Sequence, residues 1–378
     1  MRRAGRDVSG NYLQRYCAIE EDNLTRKINN IQALRAYAAV AVVLWHTGFI
    51  FPHMLQMGKF GVDIFFVISG YIMARICEGD TRFFLRRRLI RIVPPYWAMT
   101  LLLFCFSLFF PRFLLSTSAN PSDLLRSLLF IPYYREDGLI RPLLYIGWSL
   151  NYEILFYLLI TVGIYLLPKH PLAFATGLLV SLQLVCSHYA GLGAVPMCYS
   201  SNVVYEFVLG VVAYEIARRV SSSAATAMRP FSLIALGGSL AGIVFLQGVA
   251  HAPLPAEWFV MQLLAMLTIL SASLLSQGDW DIRMPWIVIV GDASFVLYLT
   301  HPYILSLSDR VLSRFFPEIQ MSHAGTAFTL IALSTVAATF FHLKLEKPTV
   351  SYLNRRLGGH RRTAEFSRLQ VTPEQVAP

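Results

Sequence analysis

The feature that most constrains the fold of this chain is a series of apolar runs, each about 17–25 residues long, that recur along its 378 residues. A helix of about 20 residues crosses the hydrocarbon core of a bilayer. Lipid offers the backbone no hydrogen-bond partners, so such runs are expected to be helical. The sequence therefore predicts an all-α, polytopic membrane protein with one bundle of about ten transmembrane helices. The predicted spans are 32–51, 60–77, 94–115, 144–167, 171–189, 203–219, 231–250, 257–276, 285–307 and 325–345.

The composition agrees with a membrane location and argues against a soluble domain. Hydrophobic residues make up 56% of the chain and charged residues 14%, whereas soluble domains have roughly 45–50% and 25%. The apolar segment at 123–134 is too short to span a membrane, so we predict an interfacial or re-entrant position for it. The five cysteines form no CxxC or metal-ligand spacing, and no metal site is predicted.

The distribution of Lys and Arg predicts the orientation of the chain. Basic residues near span ends are retained on the cytoplasmic side, and an N-terminus inside places 25 of the 32 basic residues there. We therefore expect a cytoplasmic N-terminal tail at 1–30, a membrane domain at 31–348 and a cytoplasmic C-terminal tail at 349–378. The formal net charge of +10 follows from this topology and an anionic lipid leaflet. It does not indicate nucleic-acid binding.

An arginine and a histidine lie within the first predicted span, "IQALRAYAAVAVVLWH". Arg35 and His46 are eleven residues apart, which is about 16 Å along a helix and within roughly 20° of the same face. Ionisable groups inside spans usually face the bundle interior and mark a functional site. The alternative is an Arg35 side chain that reaches the interface together with a packed, hydrogen-bonded His46.

Three later spans carry polar residues at a similar predicted depth, near the outer face. Asp63 lies in "GKFGVDIFFVISGYI", Glu153 in "GWSLNYEILFY" and His301 in "GDASFVLYLTHPYIL". Taken singly, Asp63 could be a helix cap, and Glu153 or His301 could be satisfied by a neighbouring helix. Together with His46 they predict a polar chamber near the outer face.

Arginines are concentrated at the opposite end of the predicted bundle, just before the third span. The segment "RFFLRRRLIRIVPPYW" contains Arg82, Arg86, Arg87, Arg88 and Arg91. Guanidinium groups suit bidentate phosphate binding, although basic clusters at this boundary also serve as stop-transfer signals. The layout favours an anionic ligand that enters from the cytoplasm and extends its reactive end toward the outer chamber.

In order and spacing, these motifs resemble the integral-membrane acyltransferase-3 family over about residues 30–350. The matching pieces are an Arg separated by ten residues from a His, "GVDIFFVISGYI", "FLRRRLIRIVPPYW", "WSLNYEILFY" and "YLTHP". The segments "GWSLNYEILFYLL" and "VVYEFVLGVVAYEIA" are most similar to the branch that acetylates bacterial exopolysaccharides. The resemblance implies transfer of an acetyl group from cytoplasmic acetyl-CoA to a hydroxyl of a glycan or lipid-linked precursor, in the bacterial inner membrane.

The resemblance also implies that His46 and the Arg-x-x-Arg pair, Arg88 and Arg91, are important for activity. Two features depart from the family pattern. Many relatives carry an extracytoplasmic esterase-like domain that is absent from this sequence, so the final transfer is expected to proceed without it. A common "SY" before "YLTHP" is here Ser294 and Phe295, which removes one phenol group.

With this donor, the polar residues can be given roles. We expect the coenzyme A phosphates to be bound by Arg35, Arg86, Arg87, Arg88 and Arg91. His46 would act as a general base or as an acyl-carrying nucleophile, with Asp63 or Glu153 orienting its imidazole. Substrate-binding roles are predicted for Trp148, Tyr152, Tyr298 and His301, although interfacial anchoring is an alternative for the aromatic residues.

Other functions are compatible with parts of this pattern. A transporter or flippase would use buried His and carboxylate groups, but would not need five arginines at one boundary. A glycan polymerase or ligase usually has a larger outer loop than the one at 116–143. Succinyl in place of acetyl, the acceptor sugar and the oligomeric state stay open.

Overall fold

Helices account for the regular secondary structure in the part of this chain that the structure describes. The computed structural model describes residues 27–47, 58–109, 120–249, 257–315 and 324–357. Within these ranges the chain forms fifteen α-helices and no β-strand, which confirms the predicted all-α class. In chain order they are α1 Asn29–Thr47, α2 Gly61–Cys77, α3 Phe84–Phe109, α4 Pro121–Leu128, α5 Trp148–Leu166, α6 Pro171–His188, α7 Ala194–Tyr199, α8 Val204–Ala217, α9 Ser222–Ala227, α10 Arg229–Val249, α11 Glu257–Gln277, α12 Pro285–Asp292, α13 Ser294–Phe315, α14 Ala324–Phe341 and α15 Lys347–Leu357.

Eight helical segments of the described residues are long and apolar enough to cross a membrane, and the bent pair α12–α13 would be a ninth. The remaining predicted span, 32–51, corresponds to α1. Polar side chains at Asn29, Asn30 and Gln32 lower the apolar character of α1, and residues 48–51 lie outside the described ranges. The polytopic membrane fold is therefore confirmed. The eight segments are Phe60–Cys77, Phe84–Phe109, Tyr145–Leu166, Pro171–His188, Ala194–Ala217, Arg229–Gln247, Glu257–Gln277 and Gly325–Leu357.

The predicted span over 285–307 is formed by two helices that meet at a sharp bend. The axes of α12 and α13 meet at 70°, and the break follows Asp292. Gly291 packs so closely on α1 that an added Cβ would lie 2.1 Å from the Gln32 carbonyl oxygen. The Asp292 carboxylate also pairs with Lys27 Nζ at 2.8 Å. These contacts attach α12 to the start of α1, and α13 begins a new direction inside the bundle.

The third and last spans are longer than predicted. Helix α3 begins ten residues before the predicted span 94–115, so four of the five clustered arginines lie in its first turns. The last span, predicted at 325–345, continues through a π-helical stretch, His342–Glu346, into α15. The first part of the predicted C-terminal tail is therefore helical to Leu357. The tail segments 1–26 and 358–378 lie outside the described residues.

Helix α2 occupies the centre of the bundle, where it packs on α1, α8 and α11. It crosses α8 at two glycines. A Cβ added at Gly70 would lie 2.1 Å from the Phe207 carbonyl oxygen, and one added at Gly210 would lie 2.1 Å from the Val67 carbonyl oxygen. Small residues allow this close backbone approach between membrane helices. The crossing fixes α2 and α8 relative to each other.

Helix α1 is packed against α2, α12, α13 and α14. Its arginine and its histidine both face α13. Arg35 contacts Ser294 at the start of α13, and His46 contacts His301 two helical turns later. The shared face predicted for Arg35 and His46 is therefore present, and it is covered by a parallel helix.

The short helix α4 does not span the bundle and is attached to α3. Asn120 caps its N-terminus by accepting a hydrogen bond from the Ser122 amide at 2.9 Å. Trp97 Nε1 donates to the Leu128 carbonyl oxygen at 2.9 Å, and Tyr96 donates to that of Ser127. The segment is eight residues long, in agreement with a non-spanning position.

Candidate active site

A large basic cleft opens where the ends of α1, α2, α3, α12 and α15 meet. Its volume is about 660 Å³, within the range of roughly 300–1,000 Å³ typical of ligand pockets. Seven basic side chains line it against three carboxylates, so its charge favours an anionic ligand. The basic residues are Lys27, Arg35, Arg75, Arg87, Arg88, Arg91 and Lys347, and the acidic residues are Asp80, Asp292 and Glu346.

Helix α3 supplies the arginines that were predicted as phosphate ligands. Arg87, Arg88 and Arg91 all line the basic cleft, because positions three and four residues apart share a helix face. Arg87 donates to the Asp80 carbonyl oxygen. The Nε atom of Arg88 is buried and has no hydrogen-bond partner within the described residues. A buried guanidinium N–H without a partner is a ready donor for an anion.

The structure separates Arg86 from this group. Its guanidinium carbon lies 4.2 Å from the centroid of the Phe83 ring, and its side chain lines neither the basic cleft nor the cavity described next. Arg86 therefore makes a cation–π contact on another face of α3.

A second, smaller cavity of about 100 Å³ continues from the basic cleft into the bundle. We call it the inner cavity. Four residues line both spaces, which places them at the junction: Arg35, Ile72, Arg88 and Arg91. The remaining wall is mostly apolar, with Glu153 and Tyr298 among its polar members. A ligand held in the cleft could thus extend an arm into the bundle.

Arg35 is the buried cation at this junction, with only 7% of its surface exposed. Its Nη1 donates to Gln32 Oε1 at 3.2 Å, and its Nη2 donates to Ser294 Oγ at 2.9 Å. The guanidinium group is therefore held between α1 and the first residue of α13. This position keeps a positive charge at the inner end of the cleft.

Glu153 lies in the inner cavity with the arginines. Its Oε1 accepts hydrogen bonds from Tyr157 at 2.5 Å and from Ser69 at 3.5 Å. The sequence predicted Glu153 as a catalytic residue beside His46. The structure instead gives it α2 and α5 partners and a wall of the cavity that Arg88 and Arg91 also line.

The imidazole rings of His46 and His301 are neighbours, with centroids 4.7 Å apart and planes at 66°. Each Nδ1 bonds the carbonyl oxygen four residues earlier: His46 to Val42 at 2.8 Å and His301 to Leu297 at 3.0 Å. His301 is 0% exposed, and within the described residues its Nε2 has no hydrogen-bond partner. The structure thus brings together two of the four residues predicted for one outer chamber.

Tyr298 lies between the inner cavity and the two imidazoles. Its ring lines the cavity and its centroid is 6.1 Å from that of His301. Its hydroxyl donates to the Ile146 carbonyl oxygen at 2.7 Å and also contacts Ser149 Oγ at 3.0 Å. Tyr298 therefore connects the predicted donor and acceptor ends of the site.

Asp63 belongs to a different cluster. Its carboxyl group hydrogen-bonds that of Glu206, which also accepts from Gln262 Nε2 at 3.2 Å. Glu206 is only 2% exposed, and a carboxyl–carboxyl hydrogen bond needs one proton on the pair. Glu206 was not predicted as a site residue, although an acidic residue inside a span, here the predicted span 203–219, often marks a functional site.

Trp148 and Tyr152, which were predicted to bind substrate, pack within the bundle. Their ring centroids are 6.0 Å apart, and both contact Phe66. The Tyr152 hydroxyl donates to the Cys198 carbonyl oxygen at 2.6 Å. Neither residue lines the basic cleft or the inner cavity.

The π-helical stretch contributes two cleft residues that sequence reasoning missed. His342 Nδ1 contacts Glu346 Oε2 at 2.5 Å, and both side chains line the basic cleft. The sequence feature that could have identified them is a His and a Glu four residues apart at the end of the last predicted span. Single π-turns inside α-helices often occur at functional sites.

Comparison with known proteins assigns the chain to a family. Residues 28–343 match the family model Acyl_transf_3, described as an acyltransferase domain. The exopolysaccharide production protein ExoZ of Rhizobium meliloti (strain 1021) is 28% identical over 313 residues, which cover 81% of this chain and 94% of ExoZ. No solved structure matches.

Two O-acetyltransferases are also similar over a shorter region. The peptidoglycan O-acetyltransferase OatA of Listeria monocytogenes serovar 1/2a is 30% identical over 150 residues, which cover 35% of this chain and 23% of OatA. The O-acetyltransferase OatA of Staphylococcus aureus (strain NCTC 8325 / PS 47) is 28% identical over 151 residues, covering 35% and 24%. The matched region is thus about a quarter of either OatA.

Proposed function

Since this chain belongs to the acyltransferase-3 family and is a membrane acyltransferase, we propose that it moves an acetyl group from cytoplasmic acetyl-CoA to a glycan. The acceptor is a hydroxyl group of a bacterial exopolysaccharide or of its lipid-linked precursor. The protein lies in the inner membrane with both termini in the cytoplasm, because that orientation keeps most basic residues inside. The basic cleft then opens to the cytoplasm.

The observation that carries this proposal is the arrangement of charge along α1. Arg35 lies at the junction of the basic cleft and the inner cavity, and His46 lies about 16 Å farther along the same helix face. Coenzyme A has its phosphates at one end and its thioester at the far end of a flexible pantetheine arm. The phosphates bind in the cleft, the arm enters the inner cavity, and the thioester reaches the imidazoles.

The arginines of the cleft bind the phosphates of the donor. Arg88 and Arg91 offer planar groups of N–H donors that fit phosphate oxygens bidentately, and Arg35 and Arg87 add charge on either side. Arg86, which was predicted with them, is omitted from this role because it packs on Phe83. His342 and Lys347 also contribute to the wall of the cleft.

The inner cavity holds the arm of the donor. Glu153 can accept a hydrogen bond from a pantetheine amide N–H, while its bond from Tyr157 keeps the carboxylate in place. His46 meets the acyl group at the far end of the path. The Asp63–Glu206 pair, in contrast, ties α2 to α8 and is assigned a structural role.

A glycan acceptor is supported by the names of the relatives. ExoZ is named for exopolysaccharide production, and OatA is named as a peptidoglycan O-acetyltransferase. Both names refer to glycans, so a sugar hydroxyl group is the acceptor that the two proteins would share. The similarity to ExoZ extends over most of both chains, so an exopolysaccharide is the favoured acceptor.

The proposal is tested by analysing the surface polysaccharide of cells with and without this gene. We expect O-acetyl groups to be lost on deletion and restored by the wild-type chain, but not by an equally inserted His46→Ala variant. Unchanged O-acetyl content in the deletion strain would contradict the proposed acceptor. Loss of O-succinyl groups instead would assign the other donor.

A further inference from the structure

His301 is a completely buried imidazole next to the proposed reactive imidazole of His46. We propose that His301 is a second catalytic residue, the base that removes the proton from the acceptor hydroxyl while His46 carries the acyl group. This inference rests on the acyl transfer proposed above and defines how its final step occurs.

The hydrogen bonds of the two rings fix their tautomers. A backbone carbonyl oxygen can only accept, so Nδ1 must carry the hydrogen in both His46 and His301. In a neutral imidazole the lone pair is then on Nε2. The site therefore contains two basic Nε2 atoms on adjacent rings, which come from α1 and α13.

The Nε2 atom of His301 makes no hydrogen bond within the described residues, although the side chain is fully buried. Leaving a buried acceptor unpaired costs free energy, and native structures avoid it unless the group has a task or an additional ligand. A hydroxyl group of the acceptor would supply the missing donor. The unpaired atom thus points to substrate contact by His301.

Two imidazoles are needed only if the transfer has two steps. In direct transfer from the thioester to the hydroxyl, a single general base is sufficient. In a two-step transfer, the Nε2 lone pair of His46 is used in the bond to the acyl carbon. His46 then cannot also accept the hydroxyl proton, so a neighbouring base is required, and His301 is in that position.

The acyl group moves in two steps, first to His46 and then to the acceptor. Nε2 of His46 attacks the thioester carbon, the C–S bond breaks, and the coenzyme leaves as a thiolate that takes up a proton from the cytoplasm. The acceptor oxygen then attacks the acyl carbon of acyl-His46, and Nε2 of His301 takes the hydroxyl proton. The C–N bond breaks, its electron pair returns to His46, and His301 releases the proton to solvent.

Two backbone carbonyl groups hold the His301 ring in place. Pro302 has no N–H group, so it leaves the carbonyl oxygen of Tyr298 without its helical donor. This carbonyl and that of Leu297 both lie against the Nδ1 side of the ring. These two carbonyl groups orient the ring with Nδ1–H toward the backbone and leave Nε2 as its basic atom.

Two reactions separate the roles of the histidines. The first is exchange of label between acetyl-CoA and [³H]coenzyme A, measured in nanodiscs without acceptor. The second is transfer from [¹⁴C]acetyl-CoA to glycan in membranes that contain the chain's own acceptor. We expect His301→Gln to keep exchange within about two-fold and to lose transfer by about 100-fold or more, the usual size of a general-base effect. His46→Gln should lose both reactions.

His188→Gln, a change at an exposed imidazole on α6, is the matched control and should keep both reactions. If His301→Gln does not insert, His301→Asn is tested with the same two reactions and an acetyl-CoA binding assay. Equal loss of both reactions in a variant that still binds acetyl-CoA, or full retention of transfer, would overturn the proposal. Wild-type transfer without exchange would also overturn it, whereas a wild type with neither reaction would contradict the proposed function itself.

Discussion

Nη2 of Arg35 donates a hydrogen bond to Oγ of Ser294 at 2.9 Å, which joins the first helix to the first residue of α13. The two helices run in parallel from this contact to the His46–His301 pair. One helix pair therefore carries a cation at the basic cleft and two imidazoles deeper in the bundle. This arrangement gives a physical reason for an Arg and a His inside the first span.

The role of the α3 arginines in phosphate binding can be tested without changing their charge. Replacing Arg88 and Arg91 by Lys preserves orientation but removes bidentate phosphate contacts. Each charge-assisted hydrogen bond is worth roughly 1.5–3 kcal/mol, so acetyl-CoA affinity should fall about ten-fold or more per site. Arg86→Lys is the matched control, since Arg86 lies outside both cavities, and it should bind normally. The acetyl-CoA affinity is measured by titration in nanodiscs. Equal affinities for wild type, the double variant and Arg86→Lys would indicate that the cluster serves only as a stop-transfer signal.

A larger side chain at the junction of the basic cleft and the inner cavity should allow donor binding but prevent acetyl transfer. Ile72 lines both the basic cleft and the inner cavity, and a larger side chain there would block the arm of the donor. We expect Ile72→Trp to bind coenzyme A within a few-fold of wild type and to lose most acetyl transfer. Leu178→Trp, on the exposed face of α6, should retain transfer. Full transfer by Ile72→Trp would mean that the arm takes another path.

The crossing of α2 and α8 predicts an effect on stability. In Gly70→Ala the new Cβ would lie 2.1 Å from the Phe207 carbonyl oxygen, so the helices must separate. Overpacking of this kind usually costs about 1–3 kcal/mol, and the thermal midpoint in detergent should fall. Gly177→Ala is the control, because nothing lies within 4 Å of its new Cβ. Equal midpoints for the two variants would contradict the close crossing.

Membrane orientation is tested by cysteine labelling at two short loops. In a background without the native cysteines, a cysteine at Ser201 should react from outside the cell and one at Ser223 only after permeabilisation. The physical reason is the retention of basic residues inside. Reversed labelling would place the basic cleft outside and reverse the proposed direction of transfer.

The sequence was sufficient to predict the helical membrane fold because length and apolar character determine which segments can cross lipid. It also predicted the shared face of Arg35 and His46, since helical period alone defines it. The break after Asp292 was not predictable, because it depends on how closely Gly291 packs against Gln32 of another helix. The sequence around Gly291 does not by itself indicate that contact.

The site residues were harder to group, because depth in the membrane does not define which helices are neighbours. Asp63, Glu153 and His46 have similar predicted depths, yet Asp63 contacts Glu206 and Glu153 contacts Tyr157. The pairing of His46 with His301 likewise depends on the packing of α1 against α13. Side-chain type therefore identified the candidate site residues, whereas helix packing determined which of them lie together.

The most direct test of the account uses sealed, inside-out membrane vesicles that contain the chain and its glycan acceptor. [¹⁴C]Acetyl-CoA is added to the exposed cytoplasmic face, and label in the enclosed glycan is measured for wild type and for an equally inserted His46→Ala variant. We expect rapid labelling by wild type and none above background by the variant. Labelling by His46→Ala at the wild-type rate, or no labelling by wild type, would contradict the proposed transfer across the membrane through His46.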